Sequence, residues 1–279
     1  MRKKKIFSLL LASALIGQTF SVGALTASAE ENPLVGKEQL SDNNTAAPKK
    51  DDVVPNANQY EYQKQELAAF CHFGPNTFNE IEWGENYGNK TPDEIFKLEE
   101  EFDEDTFVKT IKDAGFKKLI VTAKHHDGFC IWASEHTEYD VSKTSYKSGN
   151  GDILEELSAA CTKYDIDMGL YLSPWDIHDD SYGYYDKDGN PTTKDKDVLD
   201  YNDYYNNQLE EILGNPIYGN DGHFKEVWMD GAKGSGANAQ DYDFERWFAT
   251  IQKHEGKEAG FGLYVVWGRG IHNCKMDRK

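Results

Sequence analysis

An apolar segment that ends in polar or aromatic residues occurs four times in this chain, each time followed by a loop and an amphipathic segment. We predict that the apolar segments are strands, at residues 67–71, 119–123, 168–172 and 227–229. Helices are predicted at residues 105–114, 152–164, 201–213 and 242–254, where apolar residues recur at helical spacing. Strands that alternate with such helices indicate βαβ units and a parallel sheet. Their almost continuous apolar character indicates a sheet covered on both faces.

The polar residues that follow the four strands are predicted to form one site. In parallel α/β sheets, ligands bind at the carboxyl ends of the strands. Polar or aromatic clusters begin there with His72, Lys124, Ser173 and Asp230. We therefore expect these four strand ends to meet at a single binding or catalytic site.

Asp230 is the candidate catalytic residue of this site. It follows an apolar strand and precedes Gly231. A carboxylate in that position can act as the nucleophile on the anomeric carbon of a sugar, as in retaining glycoside hydrolysis. Asp-Gly is also a common turn pair, so a structural role for Asp230 stays open.

His125 and His126 are adjacent, and neighbours on an extended strand face opposite sides. Unless the chain has already turned, they are a poor chelating pair, and the spacing disfavours a metal-dependent hydrolase that uses His125, His126 and Asp230. Neutral imidazoles suit sugar hydroxyls better, because each ring offers one donor and one acceptor. One of the two histidines could instead have a structural role.

Further candidates for substrate binding lie beside the same strand ends. Aromatic rings supply flat apolar walls, and a carboxylate supplies an acceptor, which are the usual parts of a carbohydrate subsite. Each aromatic residue, taken alone, is equally typical of a core. The residues concerned are His72, Glu82, Trp83, Tyr171 and Trp175, with Trp132 and Trp228 expected around the same mouth.

The amino terminus resembles a secretory signal peptide. Residues 2–5 are basic, residues 6–15 are mainly apolar, and Ala27-Ser28-Ala29 is a small-residue cleavage site, which predicts cleavage after Ala29 and a secreted or cell-surface protein. A membrane anchor is the alternative, but the apolar run is shorter than the ~20 residues that a spanning helix needs. Residues 30–58 are predicted to be a polar linker.

Charge and cysteine content restrict the partners and the redox chemistry. The net charge of −19, from 30 basic and 49 acidic residues, argues against nucleic acid and, after removal of the signal, against anionic membranes. The four cysteines lack metal-type spacing and are too sparse for a disulfide scaffold, so we expect mostly buried free thiols.

Five stretches resemble the α-L-fucosidases of glycoside hydrolase family 29. They are residues 70–74 (FCHFG), 82–83 (EW), 123–129 (AKHHDGF), 171–176 (YLSPWD) and 227–231 (VWMDG). The resemblance implies a (β/α)8 TIM-barrel-like domain that hydrolyses terminal α-L-fucosides of fucosylated oligosaccharides or glycoconjugates with retention, without a metal or organic cofactor. Asp230 matches the nucleophile, and His72, His125, His126 and Tyr171 match fucose-binding positions, with Glu82 and Trp83 lining the pocket. The SPWD stretch is similar to the subfamily that prefers α-1,3/1,4-linked fucose.

Two features depart from the family pattern. The family's acid/base is a glutamate some tens of residues beyond the nucleophile, whereas the glutamates that follow Asp230 are Glu245, Glu255 and Glu258, in or just after the last predicted helix. The polar residues at the strand ends recur every 51 to 54 residues, so a barrel of eight such βα units would need about 400 residues.

We therefore expect a partial barrel domain at residues 59–260, with the first four to five βα units, and an atypical basic tail at residues 261–279, for which a shifted reading frame is one hypothesis. An inactive carbohydrate-binding protein or an unstable fragment is the alternative to an active fucosidase.

Overall fold

The computed structural model describes residues 57–85, 87–98, 102–230 and 240–256, together with the backbone of Val265–Val266. Five parallel strands lie side by side in chain order: β1 (Ala68–Cys71), β2 (Lys118–Lys124), β3 (Asp167–Leu172), β4 (Glu226–Asp230) and β5 (Val265–Val266). The predicted parallel α/β architecture is confirmed, and each predicted strand is present to within one residue at either end.

Seven helices occur among these residues: α1 (Ala57–Lys64), α2 (Asn76–Asn79), α3 (Pro92–Ile95), α4 (Glu104–Asp113), α5 (Ile153–Tyr164), α6 (Tyr201–Leu213) and α7 (Phe244–Glu255). The four predicted helices correspond to α4–α7. Each of these begins directly after an aspartate whose carboxylate accepts a backbone N–H of the first turn; the caps are Asp103, Asp152, Asp200 and Asp243. The predicted start of α7 at residue 242 was two residues early, because the capping residue there is Asp243.

The sheet is covered on both faces at β2 and β3 but not at β1. Every residue of β2 is buried, and so is every residue of β3 except Asp167. In β1, exposed and half-buried residues alternate, so the prediction of a covered strand was wrong there. Neighbouring strand residues point to opposite faces, and Phe70 turns its ring toward Tyr171 and Trp228 on the face that carries the site.

Three of the cysteines are free, as predicted: Cys130 and Cys161 are buried and Cys71 is half-buried. Burial raises the pKa of the Cys71 thiol to about 11. Cys274, the predicted signal peptide at residues 1–29, residues 30–56 of the linker predicted at 30–58 and nearly all of the predicted tail lie outside the described residues. Within the described part, no helix is long and apolar enough to cross a membrane.

The aspartate that caps α5 connects three parts of the fold. The Asp152 carboxylate accepts the Glu155 N–H at 2.9 Å, the Ala133 N–H at 3.1 Å and the Tyr218 hydroxyl at 2.8 Å. We expect Asp152→Ala to lower the free energy of unfolding by about 3 kcal/mol, because the buried Tyr218 hydroxyl and the Ala133 N–H lose their acceptor together with the helix cap. Urea unfolding measures the loss.

Asp103→Ala is the matched control, since the Asp103 carboxylate is exposed and caps α4 through Thr106. Its loss should be clearly smaller. Equal losses for the two substitutions would show that the additional bonds of Asp152 contribute nothing.

Candidate active site

The carboxyl ends of β1–β4 bring the predicted site residues together. The His125 ring lies 5.5 Å from the His72 ring and 4.2 Å from the His126 ring. The His126 ring also lies 4.8 Å from the Trp175 ring, which contacts the Trp83 ring at 5.6 Å. We call this opening the mouth; it is lined by His72, Trp83, His125, His126, Tyr171, Trp175 and Asp230. Glu82, directly before Trp83, is exposed there, and its charge acts on His72.

Asp230 lies at the centre of the mouth. Its Oδ2 accepts the Tyr171 hydroxyl at 3.0 Å, and the Nε2 atom of His126 lies 3.6 Å from the same oxygen. The side chain is 33% exposed, so a ligand in the mouth can reach the carboxylate. Burial raises the pKa of Tyr171 and the charge of Asp230 raises it further, so the phenol stays protonated and remains a donor.

The two adjacent histidines both face the mouth, because the chain turns as soon as β2 ends. The register between β2 and β3 shifts between Thr122 and Lys124, and the Gly128 N–H closes a turn onto the His125 carbonyl. The strand rule that places neighbours on opposite sides therefore does not apply to His125 and His126. Among the described residues, no three His, Cys, Asp or Glu side chains are placed to hold a metal ion.

Hydrogen bonding determines which nitrogen of His126 carries the proton. The Ser173 hydroxyl donates its single proton to the Trp175 carbonyl at 2.6 Å, and its oxygen lies 2.6 Å from His126 Nδ1. Nδ1 must therefore be the donor in that contact. Burial lowers the pKa of His126 to about 4, although the charge of Asp230 opposes the shift. The neutral ring thus presents the Nε2 lone pair to the mouth.

The other two imidazoles are neutral for the same reason. Burial lowers the pKa of His125 to about 3, and the neighbouring His126 and His72 lower it further. Burial also lowers the pKa of His72, against the charges of Asp230 and Glu82. His72 Nδ1 lies 3.1 Å from Thr122 Oγ1, a contact that orients the ring from β2.

Lys124 and Asp176 form a buried ion pair near the mouth. The sequence led to no prediction of this pair, although both residues belong to stretches that resemble the family. Lys124 Nζ lies 3.0 Å from Asp176 Oδ2, and the two side chains are 0% and 1% exposed. Three tyrosine rings surround the ammonium group at 5.1–5.7 Å: Tyr201, Tyr204 and Tyr205. A lysine at the end of one apolar strand and an aspartate shortly after the end of the next strand are the sequence signal for such a pair.

Asp176 joins the loops that follow β2 and β3. Its Oδ1 accepts the backbone N–H groups of His178 and Asp179, both at 2.9 Å. The N–H of Ile177, the residue after Asp176, donates to the His126 carbonyl at 2.9 Å. Gly128 has a φ of +79°, and a Cβ there would lie 2.5 Å from Asp176 Oδ1, so the approach of the two loops requires glycine.

The two further tryptophans that we expected around the mouth differ in position. Trp132 is fully buried, and its indole N–H donates to Glu211 at 2.8 Å, so that expectation was wrong. An amphipathic ring whose N–H has an acceptor is stable inside the core. Trp228 is half-buried on the face of the sheet that carries the site, with its ring against Phe70 at 5.4 Å.

Comparison with known proteins gives consistent matches. The family model described as Alpha-L-fucosidase matches residues 58–262. The chain is 39% identical over 217 residues to Alpha-L-fucosidase 1 of Arabidopsis thaliana, a match that spans 77% of this chain and 38% of the plant protein.

Among solved structures, the chain is similar to a Ruminococcus gnavus GH29 fucosidase, E1_10125, in complex with fucose, with 74% identity and a TM-score of 0.72 over 78% of this chain and 43% of that chain. SpGH29 matches with 47% identity and a TM-score of 0.64, over 73% and 42% of the two chains. The chain thus spans about two fifths of the length of the relatives it matches.

The buried pair should carry far more stability than a surface pair. Lys124→Met retains most of the aliphatic bulk and leaves the Asp176 carboxylate buried without its cation. We expect a loss of about 3–5 kcal/mol in the free energy of unfolding, measured with urea. Addition of Asp176→Asn should recover part of the loss, because the uncompensated charge is then absent.

Lys143→Met serves as the control. It removes an exposed ion pair of the same length, with Glu138 at 3.0 Å, and should leave the urea midpoint unchanged. A Lys124→Met protein that is as stable as the Lys143→Met protein would contradict the structural importance of the buried pair.

The neutral histidines predict how stability depends on pH. An imidazole in the unfolded chain has a pKa of ~6.5, whereas the folded values are about 3 for His125 and about 4 for His126. The unfolded state therefore binds more protons between pH ~6.5 and ~4, and these two groups lower stability as the pH falls through that range. His126→Gln should reduce the slope of unfolding free energy against pH by about 1.4 kcal/mol per pH unit between pH ~6 and ~5.

Urea unfolding across this pH range measures the slope. Val227→Ala, a core substitution that removes no titratable group, should retain the wild-type slope. If His126→Gln also retains it, His126 is not held neutral in the folded protein.

Proposed function

The chain belongs to the α-L-fucosidase family, and on that premise we propose that it cleaves terminal α-L-fucosides by a double displacement with Asp230 as the nucleophile. Its five consecutive parallel strands are those of the family's TIM-barrel-like catalytic domain. The observation that carries the proposal is the placement of the Asp230 carboxylate, which is accessible at the end of β4 and held by the Tyr171 hydroxyl. A nucleophile in this position attacks the anomeric carbon and forms a covalent glycosyl-enzyme.

Tyr171 has a role beyond contact with the sugar. Its hydroxyl donates to Asp230 Oδ2 and restrains the rotamer of the carboxylate. When the glycosyl-enzyme forms, the carboxylate loses its negative charge, so this donor also modulates how readily the ester forms and breaks. Tyr171 sits on β3, which pairs with β4 through the register Tyr171↔Trp228, and the backbone therefore fixes the distance between the two groups.

The neutral imidazoles suit the recognition of an uncharged sugar. The Nε2 lone pair of His126 can accept a hydroxyl proton of the sugar. Because Nε2 lies 3.6 Å from Asp230 Oδ2, a hydroxyl bound there lies next to the Asp230 carboxylate. His72 and His125 line the other side of the mouth. Trp83 and Trp175 supply apolar surface for the methyl group and the C–H faces of fucose, and Glu82 supplies an acceptor at the rim.

The proposed reaction also needs a group that donates a proton to the leaving group. Retaining hydrolysis uses a second carboxyl group ~5–5.5 Å from the nucleophile. Of the glutamates after Asp230, Glu245 is exposed on α7, and Glu255 accepts the Phe224 N–H just before β4 begins, at the end of that strand opposite Asp230. Glu258 lies outside the described residues. We propose that neither Glu245 nor Glu255 protonates the leaving group.

A protein that binds fucosylated glycans without cleaving them is the second candidate, favoured by the same placement of Glu245 and Glu255. We also propose export through a signal peptide at residues 1–29 and a preference for α-1,3/1,4-linked fucose, supported by the SPWD stretch at residues 173–176. Fucosylated oligosaccharides or glycoconjugates are the proposed substrates or ligands.

Mechanism-based labelling of the full chain tests this function. A dinitrophenyl α-L-fucoside measures turnover without a proton donor, and a fluorinated fucosyl fluoride traps the glycosyl-enzyme for mass spectrometry. We expect a single label on the peptide that contains Asp230, and Asp230→Asn should lower the rate at least about a thousandfold.

Asp165→Asn is the matched control, because this carboxylate is fully exposed beyond the opposite end of β3. It should leave labelling and turnover unchanged. Binding of L-fucose without labelling or turnover would favour the glycan-binding candidate, and label on another carboxylate would refute the assignment of Asp230.

A further inference from the structure

A small cavity adjoins the mouth, between the residues that follow β1 and those that follow β2. Its volume is about 10 Å³ for the centre of a water molecule, which is close to the space that one buried water needs. Two of the histidines line both the cavity and the mouth, so a group bound in the cavity acts directly on the mouth. We call it the inner cavity; it is lined chiefly by His72, Phe73, Thr122, His125, Asp127 and Phe129.

Two buried polar atoms of residues that line the inner cavity have no hydrogen-bond partner among the described residues. They are Nδ1 of His125 and Oδ2 of Asp127. Asp127 is 2% exposed, and its other oxygen, Oδ1, accepts the Phe129 N–H at 2.9 Å. A buried polar atom is costly to leave without a hydrogen bond, so two such atoms at one cavity point to a ligand inside it.

The hydrogen bonds of His125 identify which of its nitrogens carries the lone pair. Burial is the main cause that lowers the pKa of His125, and a hydrogen bond to the Glu82 backbone opposes the shift. A bond that favours the protonated ring has the ring as donor and the backbone carbonyl as acceptor. Because Nδ1 has no partner, the Nε2–H group makes this bond. The neutral ring therefore has its lone pair on Nδ1, at the inner cavity.

The Asp127 carboxylate cannot supply the proton that this lone pair requires. Burial raises the pKa of Asp127 to about 7, so above this pH both of its oxygens are acceptors only. Neither Nδ1 of His125 nor Oδ2 of Asp127 can then satisfy the other. A water molecule has two O–H groups and can donate one to each atom. Thr122, which is 3% exposed and contacts His72 through its hydroxyl, offers a third polar neighbour.

We propose that the inner cavity holds one ordered water molecule that connects Asp127 with His125 and makes Asp127 a positioning residue for the mouth. With Nδ1 bound to the water and Nε2 to the Glu82 carbonyl, the ring is fixed from two sides next to the His126 ring. Asp127 is itself tightly packed, because a Cβ on Gly84 would lie 2.5 Å from the Asp127 Cβ. The effect on sugar binding rests on the proposed function, whereas the water does not.

The wild-type full chain tests the water directly. A crystal structure at pH ~8, where Asp127 is ionised, should show a water molecule within hydrogen-bond distance of both His125 Nδ1 and Asp127 Oδ2. NMR of the chain labelled with nitrogen-15 histidine should show His125 with its proton on Nε2, the signals being assigned with His125→Gln. An inner cavity without water density, a direct bond between the two side chains or the opposite tautomer would overturn the proposal.

Two changes at Asp127 separate positioning from packing. Asp127→Leu keeps the size of the side chain but removes the acceptor, so the water should leave and the His125 signals should change. Calorimetry should then show that L-fucose binds about five- to tenfold more weakly. Asp127→Asn keeps an acceptor for the Phe129 N–H and a polar group at the inner cavity, so its affinity should stay within about twofold of the wild type. An Asn variant as weak as the Leu variant would contradict the proposal.

Asp140→Leu is the matched control. Asp140 is fully buried, its Oδ1 accepts the Ser142 N–H at 2.7 Å in the same kind of turn, and its Oδ2 has no partner among the described residues. Within the described part of the chain, Asp140 is not among the residues that line the inner cavity. The variant should keep the tautomer of His125 and the affinity for L-fucose. Equal losses of affinity in Asp127→Leu and Asp140→Leu would show that Asp127 has only a structural role.

Failure of the proposed function gives a different result. A wild-type chain that does not bind L-fucose, yet contains the water and the Nε2–H tautomer, would refute the proposed function and support the water bridge. If Asp127→Leu does not fold, the wild-type structure, the tautomer of His125 and the affinity of Asp127→Asn decide the question.

Discussion

The ion pair between Lys124 and Asp176 is the constraint on which the candidate site depends. Removal of two charges from water costs several kcal/mol per ion, so such a pair persists only where additional contacts compensate. Here the tyrosine rings of α6 surround the ammonium group, and two backbone N–H groups satisfy the second carboxylate oxygen. The pair thereby connects the ends of β2 and β3 with the helix packed outside them, and alternative arrangements of the two loops would leave a charge unpaired.

The chemistry of the mouth follows from that connection. Once Asp176 fixes the loop after β3, the Ile177 N–H binds the His126 carbonyl, and Ser173 meets the imidazole from the other side. The hydroxyl of Ser173 is committed to the Trp175 carbonyl, so it determines the tautomer of His126. A fully buried lysine thus influences which lone pair faces Asp230. The Asp230 carboxylate itself is positioned separately, by the pairing of β3 with β4.

The sequence allowed prediction of the elements that short-range patterns encode. Apolar runs and helical spacing located β1–β4 and α4–α7, and strand-end position alone singled out Asp230. The turn at His125 was not predictable, because alternation describes a strand but not the residue at which the chain leaves it. Trp132 was misplaced because its burial depends on Glu211, which is 79 positions away. The partnership of Lys124 with Asp176 likewise becomes visible only when neighbouring strands are aligned.

The order of the strands also relates the proposed sugar contacts to the proposed nucleophile. The groups that would surround the sugar come from β1, β2 and β3, and Asp230 ends β4, so each group is held by a strand that pairs with its neighbour in sequence. In the proposed reaction, a leaving group that departs as a stable anion needs no proton, whereas a basic sugar alkoxide does. Cleavage of a fucoside with an acidic leaving group would therefore depend on how these four strands position the fucose and the Asp230 carboxylate.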